Sequence, residues 1–201
     1  MKFFNIAAAI IVSLFLAGCG GGGSDDPDPA PTFSSLSAAN NAAGARIAEL
    51  IPMKGIHLPT SGVEVYSGYI HLLVDLPSGR REEIMGQMTA SIDFDTRPAF
   101  DVTMFSLIGQ DIGPFPGAIT IPGARILTIA PLTSQSILGT PVASAPLTID
   151  THDGIFRAAL LGKVWGDANV DGIEGGLDSA EYIVDDVSYN VDGKFVLERV
   201  E

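Results

Sequence analysis

The sequence contains very little cysteine, little positive charge and no apolar run long enough to span a membrane. Its single cysteine, Cys19, has no partner for a disulfide within the 201 residues. Lys and Arg total 11 against 24 Asp and Glu, which gives a formal net charge of −13. A surface this acidic repels phosphate backbones, so nucleic acid is excluded as a partner.

Motifs that would carry catalysis are also missing. The sequence has no Gly-x-Ser-x-Gly elbow, no phosphate-binding loop and no His-Glu-x-x-His pair. Its three histidines are far apart, at positions 57, 71 and 152. Adjacent carboxylates such as Glu82 and Glu83 point to opposite faces of a strand and do not form a dyad. The sequence therefore predicts a protein that is not an enzyme.

The N-terminus has the layout of a secretory signal. It is cationic at Lys2 and apolar from Ile6 to Ala17 apart from Ser13, with small residues just before Cys19. A spanning helix would need about 20 apolar residues, more than this segment offers. Residues 1–18 are predicted to be a signal peptide. The alternative is a buried N-terminal helix with an incidental cysteine.

The stretch Leu16-Ala17-Gly18-Cys19 resembles the bacterial lipobox. That resemblance implies cleavage before Cys19 and acylation, with palmitate among the chains, at its thiol and new amine. Several acyl chains anchor a soluble domain, since each buried methylene adds roughly 0.8 kcal/mol. Cys19 is thus the predicted lipid attachment site. Residue 20 is Gly rather than Asp, which in lipoproteins of this kind implies export to the outer membrane. Cleavage removes Lys2 and moves the net charge from −13 to −14.

Composition divides the remaining chain into three parts. Residues 19–35 begin with the lipidated cysteine and continue as a flexible Gly-rich, then extended Asp-Pro linker. Residues 36–58 are predicted to be a short helical lead-in, because Ala and Leu favour a helix and apolar residues recur at Ala43, Ile47 and Leu50. Residues 60–201 are the predicted β-domain.

The β-domain shows apolar alternation at period two in segments rich in β-branched and aromatic residues. Strands are predicted at 62–76, 84–96, 99–109, 117–130, 153–166 and 190–200, with short pieces at 134–139 and 145–150. Proline separates the short pieces, which suits edges or bends. Glycines inside several strands permit the sharp bending that barrel closure requires. The expected fold class is all-β, a single eight-stranded antiparallel barrel.

The arrangement resembles the β-barrel domain of transferrin-binding protein B and its relatives, including factor H-binding protein. The likeness covers roughly residues 60–201 and follows the lipobox and Gly-rich linker. It rests on Tyr66-Ser67-Gly68, on "SIDFDT", on "LLGKVWGDANVDGIEGGLDS" with Gly162, Gly166, Asn169, Gly175 and Gly176, and on the closing Gly193-Lys194-Phe195. The resemblance implies a lipid-anchored, surface-exposed barrel that binds a ligand. It does not identify that ligand.

One acidic stretch has the spacing of a calcium loop. In "DANVDGIEGGLD", Asp167, Asn169, Asp171 and Asp178 stand at positions 1, 3, 5 and 12, with a glycine at position 6. The competing interpretation is a polar hairpin between two strands, because Gly175 and Gly176 are poor helix starters and no helix precedes the loop. Calcium is the only cofactor that the sequence suggests.

Two further features have more than one interpretation. Residues 167–201 hold ten acidic residues against Lys194 and Arg199, which suits a docking surface for a basic partner or a solvated set of strand edges. Trp165 and Tyr182 could line a ligand pocket or belong to the core.

The leading functional hypothesis is a non-catalytic, surface-exposed outer-membrane lipoprotein whose barrel binds an extracellular protein or a small ligand. The alternatives are a calcium-stabilised binding module that uses the Asp167–Asp178 loop, and a periplasm-facing lipoprotein that carries an apolar ligand.

Overall fold

The structure, a computed structural model, describes residues 29–54, 58–59, 61–95, 99–125, 127–128, 137–140, 142–167 and 169–201. Pro31 to Glu201 form one compact unit. Cys19 and the predicted signal peptide lie outside the described residues, so both stay predictions. In the described ranges no helix combines the length and hydropathy needed to cross a membrane.

The first element is the helix α1, Phe33–Ala48. It begins earlier than the predicted lead-in because Thr32 and Ser35 form a capping box. The Thr32 Oγ1 accepts from the Ser35 N–H at 3.2 Å, and the Thr32 N–H donates to the Ser35 Oγ at 2.9 Å. The prediction of a single short helix is confirmed, and the helix ends at Ala48, within the predicted lead-in.

The described residues after α1 form eleven β-strands. In chain order they are β1 Val63–Asp75, β2 Arg81–Asp93, β3 Ala99–Gly109, β4 Gly113–Pro114, β5 Ile119–Arg125, β6 Leu127–Thr128, β7 Ile137–Gly139, β8 Ala143–Ile149, β9 His152–Trp165, β10 Gly172–Val184 and β11 Val187–Arg199.

Eight of these strands are long, and they form one curled antiparallel sheet with the shape of a half-barrel. Their spatial order is β5-β3-β2-β1-β11-β10-β9-β8, so each strand lies beside its neighbour in the chain, and β11 returns to pair with β1. The predicted all-β class and eight-stranded antiparallel architecture are therefore confirmed.

The two edge strands, β5 and β8, face each other across a seam. Their Cα atoms come within 8 Å, yet the described residues show no ladder between them. In the described residues the two edges are connected beyond the ends of these strands. There β6, which follows β5, pairs with β7, which precedes β8, at Leu127↔Gly139 and Thr128↔Leu138. Pro122 in β5 and Pro146 in β8 lack the N–H that a ladder needs, which suits edge positions.

The concave side of the sheet is filled by side chains. One continuous cluster of buried apolar residues includes Tyr66, Phe156 and Tyr182, each 0% exposed. Strand β8 shows the alternation behind this packing, since Ala145, Leu147 and Ile149 are buried and the residues between them are exposed. The described residues therefore pack the concave side of the sheet with apolar side chains.

Helix α1 lies on the outside of the half-barrel. Near its start Leu36 packs with Met85 of β2 and Ile108 of β3, and near its end Ala43 and Ile47 pack with Val196 of β11. A bidentate ion pair fixes the same end, because Arg46 Nε and Nη2 donate to the Glu198 carboxylate at 2.7 and 2.6 Å. This hydrogen bond raises the pKa of Arg46.

The predicted strand boundaries needed two corrections. Strand β2 begins at Arg81, where a polar turn was expected, because Glu82 turns inward and its Oε1 accepts from the N–H groups of Asp111 and Ile112 at 2.9 and 3.2 Å. Strand β10 was not among the strands predicted from alternation, since Gly175, Gly176 and its acidic residues have low β propensity, although the hairpin interpretation placed a strand after the acidic loop. Ladders to β9 and β11 on both sides override that preference.

Candidate functional site

One concavity of the described surface lies where β10 carries a bulge. From Asp178 to Glu181 strand β10 has one more residue than its partner β9 has from Ala159 to Arg157, and the register shifts against β11 as well. Such an extra residue bends the strand and re-aims its side chains, and bulges often lie beside functional sites.

The backbone at the bulge adopts a conformation that few side chains favour. Ser179 has φ 51°, in the left-handed region that non-glycine residues visit at an energetic cost. Its Oγ donates to the Asp178 Oδ2 at 3.4 Å. Ser179 and Ala180 therefore form one wall of a concavity of about 500 Å³, a size usual for small-molecule sites.

The floor of this bulge pocket is a polar row across three strands. Arg157 on β9, Glu181 on β10 and Asn190 on β11 are successive register partners. The Arg157 Nη1 donates to the Glu181 Oε1 at 3.0 Å, and the Ser188 Oγ donates to the Glu181 Oε2 at 2.5 Å. Asn190 Nδ2 in turn donates to the Asp192 Oδ2 at 3.3 Å. The row is pre-organised and still partly exposed.

The residues of the predicted calcium loop do not converge. Asp167, Asn169 and Asp171 lie in the turn between β9 and β10, but Asp178 lies on β10 opposite Ala159, six residues beyond Gly172. At about 3.3 Å per residue, that places Asp178 roughly 20 Å further along the strand. Among the described residues no group of three or more His, Cys, Asp or Glu could hold a metal ion. The spacing fits the hairpin interpretation.

Backbone contacts hold that turn. The Asp171 N–H donates to the Trp165 carbonyl at 2.9 Å, and the Arg199 N–H donates to the Asp171 carbonyl at 3.1 Å. Gly166 has φ 140°, and a Cβ there would lie 2.0 Å from the Asn169 carbonyl oxygen, so only glycine fits. Asn169 and Asp171 also line a second groove, of about 390 Å³, beside the Arg46–Glu198 ion pair.

Trp165 and Tyr182 belong to packed regions. Trp165 is half-buried against the cluster that joins α1 to β11. Tyr182 is fully buried on the concave side, where its hydroxyl donates to the His152 carbonyl at 2.6 Å. Burial raises the pKa of Tyr182. The interpretation of both residues as packing residues is confirmed.

His71 lies on the outer face of β1. Its Nε2 is 2.8 Å from the Glu83 Oε1 on β2. The pair is partly exposed, and neither residue lines the bulge pocket.

No pattern in the sequence predicts the bulge pocket. Its polar residues come from β9, β10 and β11 and are brought together by register, which a single sequence does not reveal. The one available signal was the segment Asp178-Ser179-Ala180, three small or polar residues that interrupt the apolar alternation of "IEGGLDSAEYIV".

Comparison of the chain with protein-family models, with curated proteins and with solved structures finds no match.

Proposed function

We propose that this protein is a lipid-anchored outer-membrane lipoprotein, exposed at the cell surface, that binds a ligand on the outer face of its half-barrel and catalyses no reaction. The lipobox and Gly-rich linker support the anchor. The resemblance to the transferrin-binding protein B barrel supports display at the surface. The ligand need not be transferrin or factor H.

A single observation supports ligand binding on the outer face of the half-barrel. The concave side is occupied by one continuous apolar cluster, whereas the bulge pocket is open, polar and ordered by its own hydrogen bonds. In small-ligand sites a few precisely placed polar groups fix the orientation of the ligand. The row Arg157–Glu181–Asn190 provides such a frame.

The anchor is tested by replacing Cys19. Cells that express the native chain or Cys19→Ala are grown with radiolabelled palmitate, and the membrane fraction is separated. We expect label and membrane retention in the native chain only. Cys19→Ser is a second variant that retains a similar side-chain size. Labelling of either variant would contradict lipidation at Cys19.

The exposure is tested by protease treatment of intact cells, followed by blotting for the domain and for a periplasmic control protein. Loss of the domain with survival of the control is the expected result. Survival of both would place the domain in the periplasm, and the surface role would then be abandoned while the lipid anchor stood.

A further inference from the structure

The lining of the bulge pocket is balanced in charge and in hydrogen-bonding groups. Among the described lining residues the charged side chains are Arg157 and Glu181, which pair with each other at 3.0 Å. An ionic ligand would have to compete with one partner for the other, which favours a neutral ligand.

The remaining polar groups offer both donors and acceptors. Arg157 and the Asn190 amide supply N–H donors, the Glu181 carboxylate accepts, and the hydroxyls of Ser179 and Ser188 can do either. A hydroxyl group also donates and accepts. A ligand with several adjacent hydroxyls can therefore pair with both the donors and the acceptors of this exposed lining.

The apolar part of the lining is small. Among its described residues the apolar side chains are Val142 and Ala180, and none of these residues is aromatic. Ligands with large apolar or aromatic surface would gain little there, because the area that they could bury is limited. Two small aliphatic contacts suit the narrow C–H face of a sugar ring.

We infer that the bulge pocket binds a neutral carbohydrate through Arg157, Glu181, Ser188 and Asn190. This inference rests on the proposed function, whose outer-face binding role it specifies. The Arg157–Glu181 pair and Ser188 fix the geometry, and the extra residue at Ser179 opens the space that the sugar enters.

The test is a titration of the full ¹⁵N-labelled chain, purified in a detergent whose head group carries no sugar. The probes are glucose, galactose, mannose, maltose and lactose, with inorganic phosphate as the ionic probe. We expect at least one neutral sugar to give saturable shifts at the Arg157 Nε–H and the Asn190 side-chain amide, and phosphate to give none there. The inference would be overturned if none of the sugars caused such shifts, or if phosphate caused them and the sugars did not.

Variants locate the effect. Arg157→Ala and Asn190→Ala should each weaken the sugar interaction at least tenfold, whereas Arg46→Ala, which removes an exposed Arg–Glu pair in the other groove, should leave it unchanged. In Ser179→Gly the hydroxymethyl group is removed, and glycine readily adopts φ 51°, so the variant should fold. It should weaken sugar binding by a smaller factor than Arg157→Ala does. Equal affinity in Arg157→Ala and the native chain would refute the assignment.

The two proposals fail separately. Surface protease sensitivity and lipidation without sugar binding would leave the lipoprotein role and remove the carbohydrate. Sugar binding by a domain that is protected from protease would support the carbohydrate site, place it in the periplasm and remove the surface role.

Discussion

The half-barrel has two sides that are held together in different ways. On the side beneath α1, strands β2, β1, β11 and β10 are long and paired on both edges, and the helix covers their outer face. At the seam, β5 and β8 have seven residues each and contain proline, and the described residues pair each of them with one neighbour, β3 and β9. No ladder joins β5 to β8 in these residues, and Ile121 and Leu147 lie in the same buried apolar cluster. The comparison separates two sources of stability: ladders on both edges with a helical cover on one side, and ladders on one edge with apolar packing on the other.

The largest expected difference in stability between the sides comes from replacing a buried isoleucine by alanine at a matched position on each side. Ile70 on β1 and Ile121 on β5 are both isoleucines, 0% and 1% exposed. Removing a buried isoleucine costs about 2–5 kcal/mol, and the cost is lower where the surroundings can collapse. Ile70→Ala should therefore lose about 4 kcal/mol and Ile121→Ala about 2 kcal/mol of the free energy of unfolding, measured by urea denaturation. Equal losses would mean that the seam is as rigid as the covered side.

A second prediction concerns the close approach of β1 and β11 beneath the helix. A Cβ on Gly68 would lie 1.9 Å from the Val196 carbonyl oxygen, and Val196 packs against Ala43 and Ile47, so β11 has little room to withdraw. Gly68→Ala should destabilise the protein by about 3 kcal/mol.

The matched control for this change is Gly44→Ala. Nothing lies within 4 Å of a Cβ built on Gly44 in α1. Alanine is favoured over glycine in a helix by about 1 kcal/mol, so this variant should be slightly more stable than the native chain. Thermal melting of both variants gives the comparison, and a neutral Gly68→Ala would contradict the close approach.

The sequence predicts some strands better than others on both sides of the half-barrel. Long alternating segments such as β1 and β9 were placed within one or two residues, because burial on one face forces a period of two. Apolar alternation does not predict β10, because its pairing on both edges is a property of the tertiary structure. The bulge pocket was out of reach for the same reason, since Arg157, Glu181 and Asn190 become neighbours only through register.

A third, smaller effect tests how the cover is attached. Thr32 caps α1 through the Ser35 N–H, and replacing a capping threonine by alanine costs about 1 kcal/mol. Thr32→Ala should lose that amount, while Thr32→Ser, which retains a hydroxyl cap, should stay near the native value. Amide exchange in the first turn of α1 should speed up in the alanine variant. An unchanged exchange rate would show that packing of Leu36 alone holds the helix start.

The smallest effect on stability at neutral pH concerns two buried tyrosines, and this effect increases only at alkaline pH. Burial, followed by the 2.6 Å hydrogen bond to Glu64, raises the pKa of Tyr66, and burial raises the pKa of Tyr182. The unfolded chain releases these protons near pH 10, before the folded chain does. Stability from the neutral phenols is therefore complete below about pH 10 and is lost above it, by at most about 1.4 kcal/mol per pH unit for each tyrosine.

The two tyrosines act on different sides of the comparison. Tyr66 stays within β1, while the Tyr182 hydroxyl reaches the β8–β9 hairpin, donating to the His152 carbonyl at 2.6 Å and accepting from the Ile149 N–H at 3.4 Å. Tyr66→Phe and Tyr182→Phe should each flatten the fall in stability between pH 10 and 11. Only Tyr182→Phe should also speed amide exchange at Ile149 at pH 7, because it frees the end of the seam strand. Faster exchange at Ile149 in Tyr66→Phe as well would mean that the seam and the covered side open together.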